Sequence, residues 1–336
     1  AKGATSIVLD VITGEIIAMV SLPDFDPNNR QLVSLGKQDD NNPLFNRAVQ
    51  GVYELGSTYK IFTVAKALDL GLVDPETEIE VFRKTKILGT DVRDDHYKVP
   101  KLSVTDIIAK SSNVGTATLA SKIGRNNQIT MLNDLGLFHP TEIELIEAKS
   151  ITPLRPKKWI DSSTVTISYG YGLSISQLHL AVAYATLVNG GYKVTPTILK
   201  QSNKDLGRRI ISEGTSNHLR EILRSVVQRG TATLGNVEGY EVGGKTGTAN
   251  KQKIGAKGYD NDRVVSTFAS FFPVKSPRYV LVVSFDEPSY RGGKEKSERS
   301  AGWTAVPVSA EIIKRIAPLL NLRPSFDSDQ VVQIGR

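Results

Sequence analysis

Two folds compete over the stretch Gly239-Tyr240-Glu241-Val242-Gly243-Gly244-Lys245-Thr246-Gly247-Thr248-Ala249-Asn250. Its first eight residues match a phosphate-cradling loop, Gly-x-x-x-x-Gly-Lys-Thr, and Leu281-Val282-Val283-Ser284-Phe285-Asp286-Glu287 resembles the acidic strand that would hold Mg²⁺ for a nucleotide triphosphatase. Such a loop needs a helix beginning at Lys-Thr, so that the helix N-terminus faces phosphate. The chain instead continues Gly247-Thr248-Ala249-Asn250-Lys251-Gln252-Lys253, with Gly255 and Gly258 close behind, which is no helix. The stretch therefore reads as a strand over 240–250, followed by strands over 264–272 and 279–285. Short connections, one of them running from Pro273 to Pro277, imply antiparallel pairing.

The other end of the chain carries the same signal. Ser6-Ile7-Val8-Leu9-Asp10-Val11 and Ile16-Ile17-Ala18-Met19-Val20 flank Ile12-Thr13-Gly14-Glu15, a hairpin that can join the C-terminal strands in one sheet. Between these ends the chain is mostly helical. Helices are expected over 57–70, 104–110, 114–123, 178–188, 306–320 and around the stripe Leu219, Ile222, Leu223, Val226, Val227 that Gly230 closes. The fold class is α+β: an antiparallel sheet flanked by helices, plus a helical subdomain. The sheet part is expected at about 1–75 and 230–322, the helical part at about 76–229, and 323–336 as a polar tail.

With 40 % hydrophobic and 23 % charged residues the chain is globular, and no run approaches the ~20 apolar residues of a spanning helix. The start at Ala1-Lys2-Gly3, directly before strand-like sequence, leads to the expectation of an anchor upstream. Forty-two Lys and Arg against 35 Asp and Glu give +7, a balance that suits an anionic polymer. The basic runs Lys251, Lys253, Lys257 and Arg291, Lys294, Lys296, Arg299 lack interleaved aromatics, so no nucleic-acid partner is expected. The absence of cysteine removes thiolate chemistry, and the four histidines have no metal spacing. No Gly-x-Ser-x-Gly elbow occurs, so a serine nucleophile would need a base other than histidine.

Gly56-Ser57-Thr58-Tyr59-Lys60 supplies one, because a helix starting at Ser57 brings the Lys60 amine alongside the hydroxyl. Taken alone, Ser57 is equally a helix cap. Ser34-Leu35-Gly36-Lys37 has the same spacing but opens no helix. The chain has one Ser-x-Asn triplet, Ser111-Ser112-Asn113, and one Lys245-Thr246-Gly247, and they follow Ser57 in that order.

This ordered set resembles the penicillin-recognising serine transpeptidases, whose motifs are Ser-x-x-Lys, Ser-x-Asn and Lys-Thr-Gly. Asn46-Arg47-Ala48-Val49-Gln50, Tyr169-Gly170-Tyr171-Gly172-Leu173, Gly230-Thr231-Ala232 and Thr248 resemble class B penicillin-binding proteins, the Tyr-Gly-Tyr-Gly stretch leaning towards the cell-division, penicillin-binding protein 3 type. Leu55 departs from the proline usual before Gly-Ser. The resemblance implies the penicillin-binding and serine β-lactamase-like fold over 1–322 and a peptidoglycan D,D-transpeptidase, acylated by β-lactams, in septal wall synthesis. It implies catalytic Ser57, Lys60, Ser111, Asn113 and Lys245, with substrate bound by Thr246, Gly247 and Thr248, and no cofactor or metal. Stem peptides and β-lactams are the implied ligands, with divisome proteins and a glycosyltransferase as partners of regions outside this chain, at the periplasmic face of the bacterial inner membrane. A β-lactam sensor domain and a serine β-lactamase share the motifs. For the latter, the one Glu-x-x-x-Asn, Glu213 to Asn217, falls at a helix start. The stretch 251–262, rich in Gly and Lys, is expected to be a mobile loop at the mouth of the site.

Overall fold

A computed structural model of the chain describes residues 1–29, 42–94, 99–202, 206–253, 255–289 and 296–325. Ser34 to Lys37, His96, Arg291, Lys294 and most of the C-terminal tail, 326–336, lie outside the described residues.

The hairpin of β1 (Gly3–Asp10) and β2 (Ile16–Leu22) opens the chain. The Asp10 carboxylate accepts the N–H groups of Ile12 and Thr13 at 2.8 and 3.0 Å, which sets its turn. A 3-10 turn (Gly56–Tyr59) runs into α1 (Lys60–Asp69). Then come β3 (Glu78–Glu80), β4 (Lys84–Ile87), β5 (Thr90–Arg93) and β6 (Lys101–Ser103), paired β3 with β6 and β4 with β5 in two small sheets that propensity did not disclose. The helices α2 (Val104–Ala109), α3 (Asn113–Asp134), α4 (Asp161–Ser168), α5 (Gln177–Val188) and α6 (Glu213–Arg229) come next. The helix expected over 114–123 ends where Gly124, at φ +77° and ψ 163°, leaves the helical region, and a second helical stretch follows it to Asp134.

The last strands, β7 (Gly243–Gln252), β8 (Tyr259–Phe272) and β9 (Tyr279–Asp286), join the first hairpin in one antiparallel sheet of order β2-β1-β9-β8-β7. β1 runs along β9 from Gly3 opposite Asp286 to Asp10 opposite Tyr279, so the two ends of the chain close one sheet. α5 covers one face, where Gln177 lies beside Thr5, Val265 and Asp286. On the other face α7 (Ala305–Leu319) packs against β8 and β9. Coverage on both faces accounts for the unbroken burial of 264–272 and the nearly continuous apolar run of β9.

Two expectations need correction. α5 falls inside the stretch read as the helical subdomain, yet it packs on β1, β8 and β9. All twelve of its residues are buried, between the sheet on one side and α6 on another. Only the two ends of the stretch 251–262, read as a loop, are strand: Lys251 pairs with Asp260 and Gln252 with Tyr259, and 259–262 belong to β8. Lys251 Nζ also reaches Asp286 and Glu287 at 2.8 and 3.0 Å. At the start of the tail, Ser325 N–H bonds to the Gly239 carbonyl at 2.8 Å.

Candidate active site

The 3-10 turn at 56–59 holds Ser57 half-buried while Gly56, Thr58, Tyr59 and Lys60 are buried. Ser57 caps neither element: the N-cap of the turn is Leu55 and that of α1 is Tyr59, neither with a side-chain bond. Leu55 has φ −103°, away from the −65° to which proline is locked, so the missing proline belongs with this turn geometry. The turn is tied from three sides. Thr58 Oγ1 donates to the Leu55 carbonyl at 2.9 Å, Tyr184 OH on α5 to the Thr58 carbonyl at 2.8 Å, and Tyr59 OH to the Leu173 carbonyl at 3.1 Å. Tyr184→Phe leaves a buried carbonyl short of its donor and is expected to cost about 1–2 kcal/mol. Urea unfolding measures this, and an unchanged midpoint would contradict the role given to that hydroxyl.

Backbone crowding explains two glycines here. Gly56 has φ +53°, and a Cβ on Gly247 of β7 would lie 2.2 Å from the Leu55 carbonyl oxygen. A Cβ built on Gly56 would lie 2.9 Å from the carbonyl oxygen of Thr248, so that carbonyl faces the serine turn. Along a strand the N–H and C=O of one residue leave by the same edge, which puts the Thr248 N–H on the serine side of β7 as well.

Lys60, the first residue of α1, is fully buried beneath this turn. Its Nζ donates to the Ser111 carbonyl at 2.5 Å and to Ser111 Oγ at 3.0 Å. Lys245 comes from β7, also fully buried, and its Nζ donates to the same Oγ at 3.1 Å and to the Thr246 carbonyl at 3.0 Å. Three residues read from separate motifs thus meet at one hydroxyl. Burial lowers the Lys60 amine to about 7, a shift partly opposed by the charge of Asp94. Burial and the neighbouring Lys60 charge push the Lys245 amine well down too. Because Lys245 and Thr246 lie inside a strand with no helix starting there, the phosphate-loop alternative fails on structure.

The remaining candidates divide. Thr246 Oγ1 lies 2.6 Å from the Thr231 hydroxyl, and Thr248, an exposed residue, accepts the Ala301 N–H with its Oγ1 at 3.0 Å. The Asn113 side chain is directed elsewhere. Its side-chain amide donates to the Arg93 carbonyl at 3.1 Å, because Asn113 opens α3 and turns towards β5. Glu213 begins α6, exposed and 3.9 Å from Arg209, which gives it no place at this site. His179 is a buried capping residue, its Nδ1 2.7 Å from Ser176 Oγ, and burial holds it down to about 4.

Two groups escaped the sequence reading. The carboxylate of Asp94 lies under Ser111-Ser112-Asn113, and nothing in its local sequence marks it. Glu54, buried beside the serine turn, accepts the N–H of Gly172 at 2.5 Å and the Tyr259 hydroxyl at 3.1 Å, and burial raises its carboxyl. Glu54 also helps to line a groove of about 350 Å³ that runs along β7 past Asn250 and Lys251.

The family described as the penicillin binding protein transpeptidase domain matches residues 4–306. The chain belongs to that family. It is 37 % identical over 331 residues to the probable peptidoglycan D,D-transpeptidase FtsI of Caulobacter vibrioides, covering 96 % of this chain and 55 % of that one. It is also 37 % identical to the probable peptidoglycan D,D-transpeptidase PenA of Neisseria gonorrhoeae, covering 87 % of this chain and 49 % of that one. The chain therefore spans about half the length of these curated relatives. Among solved structures, the transpeptidase domain of Burkholderia pseudomallei penicillin-binding protein 3 superposes with a TM-score of 0.83 at 33 % identity, covering 97 % of this chain and 91 % of that one. Penicillin-binding protein 3 of Mycobacterium tuberculosis, solved in complex with ampicillin, gives a TM-score of 0.85 at 30 % identity, covering 97 % of this chain and 74 % of that one. These matches establish a penicillin-binding transpeptidase fold, built here from the five-stranded sheet, its covering helices and the helices behind the serine turn.

Proposed function

We propose that this chain is the catalytic domain of a class B peptidoglycan D,D-transpeptidase that cross-links stem peptides through an acyl-enzyme on Ser57. The observation that carries the reading is the convergence of two buried lysine amines on Ser111 Oγ, at 3.0 and 3.1 Å, next to the serine turn. A neutral Lys60 has two N–H bonds, directed to the Ser111 carbonyl and hydroxyl, and one lone pair left to take the Ser57 proton. Ser57 Oγ then attacks the carbonyl between the two terminal D-alanines. The tetrahedral oxyanion is met by the backbone N–H groups of Ser57 and Thr248, each such donor being worth ~10²–10³ in rate. Ser111 Oγ accepts from both lysines, so its own proton is free to pass to the departing amine, and it is replaced from Lys60 or Lys245. D-Alanine leaves, and an amine of a second stem peptide attacks the acyl-enzyme by the reverse proton path.

Lys245 with the hydroxyls of Thr246 and Thr248 binds the terminal carboxylate in this scheme, and Gly247 keeps β7 close to the turn. Asn113 acts on the substrate amide from the rim, since its side chain points to Arg93 in the free protein. A β-lactam acylates the same serine. We assign the unit to 1–322, place it at the periplasmic face of a bacterial inner membrane in septal synthesis, and expect divisome and glycosyltransferase partners to act through regions beyond this chain. Incubating the chain with a D-Ala-D-Ala peptide and an acceptor amine should release D-alanine and form the cross-linked amide without added metal. Neither product, in a sample that penicillin also fails to acylate, would overturn the proposal.

A further inference from the structure

Resting on that reading, we propose that Asp94 is a positioning residue for Ser111: its buried carboxylate locks the start of α3, and so holds the Ser111 hydroxyl between Lys60 and Lys245. Asp94 follows β5 and is 5 % exposed. Its own N–H bonds to the Arg83 carbonyl at 3.0 Å, which fixes it to the β4–β5 hairpin. Its carboxylate is bonded on both oxygens. Oδ1 accepts the N–H of Asn113 at 2.6 Å and of Val114 at 3.3 Å, and Oδ2 accepts the Ser112 hydroxyl. The Ser112 hydroxyl in turn accepts the Gly115 N–H at 2.9 Å, so N-cap and carboxylate together satisfy three donors of the first turn of α3.

Ser111 needs such a clamp because it sits at φ +61°, a left-handed conformation that costs a non-glycine residue free energy. On its N-terminal side it is tied to α2, by its own N–H to the Ile108 carbonyl at 3.2 Å and by the Ser112 N–H to the Ile107 carbonyl at 2.8 Å. On its C-terminal side the tie is Asp94. With both neighbours fixed, the Ser111 carbonyl and hydroxyl face Lys60. Among the described residues, the charged groups around the carboxylate are Lys60 on α1, Lys245 on β7 beyond Ser111, and its chain neighbour Arg93, which is exposed. Asp94 also supplies the negative charge that supports the Lys60 amine against burial. One carboxylate thus sets both the geometry and the basicity of the relay.

The test is stopped-flow acylation by a fluorescent penicillin across pH 5.5–9 on wild type, Asp94→Asn and Ser112→Ala. Asp94→Asn presents an amide N–H where the Ser112 hydroxyl must donate, and it removes the charge. We expect its acylation rate constant to fall ten-fold or more, its non-covalent dissociation constant to change less than about two-fold, and the midpoint of its pH profile to move to lower pH. Ser112→Ala keeps the charge, so its rate should fall while its midpoint stays; it also serves if Asp94→Asn does not fold. A purely structural carboxylate would lower the unfolding midpoint and leave the rate per active molecule and the pH midpoint unchanged, and that result overturns the inference. Failure of wild type to acylate would instead overturn the function it rests on.

Discussion

Lys60→Met is expected to lower penicillin acylation by about 10²–10⁴-fold, the range of a positioned general base, while the domain remains folded. Methionine is nearly as long as lysine and apolar, and the site it would enter is fully buried, so the substitution removes a charge that burial disfavours and creates little cavity. The same burial gives the wild-type protein a characteristic pH dependence. An amine lowered to about 7 is mostly protonated at pH 6 and mostly free at pH 8, so the acylation rate should rise through pH 7 and level off above it. Because Lys245 shares Ser111 Oγ, the observed midpoint belongs to the pair of amines. A flat profile between pH 6 and 8, or a Lys60→Met protein that acylates at the wild-type rate, would remove Lys60 from the role of base.

Gly170→Ala is expected to have the second large effect, although residue 170 carries no side chain and touches no substrate in the scheme. It lies at φ +98°, and a Cβ there would stand 1.9 Å from the Gly56 carbonyl oxygen and 2.4 Å from its Cα. No side-chain rotation relieves a clash with backbone. Overpacking together with a backbone angle foreign to alanine should cost about 2–5 kcal/mol of stability. Any protein that does fold must displace Gly56, and with it Ser57, where an error of about 1 Å costs on the order of 10² in rate. Urea unfolding and penicillin labelling of the folded fraction read the two parts separately. Wild-type values in both would mean that the Tyr-Gly-Tyr-Gly stretch does not press on the serine turn.

The parts of this molecule that were readable from sequence share a property: their signal is local. Ser57 and Lys60 stand one helical turn apart, and β8 and β9 announce themselves because helices cover both their faces. The β7–β8 extension was misread because Lys251, Gln252, Tyr259 and Asp260 pair with each other outside the covered sheet, where polar residues and glycines look like a loop. α5 reads as a helix, but nothing in Gln177–Val188 says which neighbour it packs on. Asn113 was identified by its triplet, and a triplet gives position along the chain without giving side-chain direction. Asp94 was invisible for the opposite reason. Its partner Ser112 is eighteen residues away, across two elements whose pairing the sequence does not announce.

The measurement closest to the central claim is mass-spectrometric mapping of the adduct formed with a labelled penicillin. Cleavage after Arg47 and Lys60 yields one peptide, residues 48–60, that contains Ser57. The account predicts the label on Ser57 in that peptide and none in the Ser57→Ala protein. A label on the peptide that begins at Ser111, or one that survives Ser57→Ala, would contradict it.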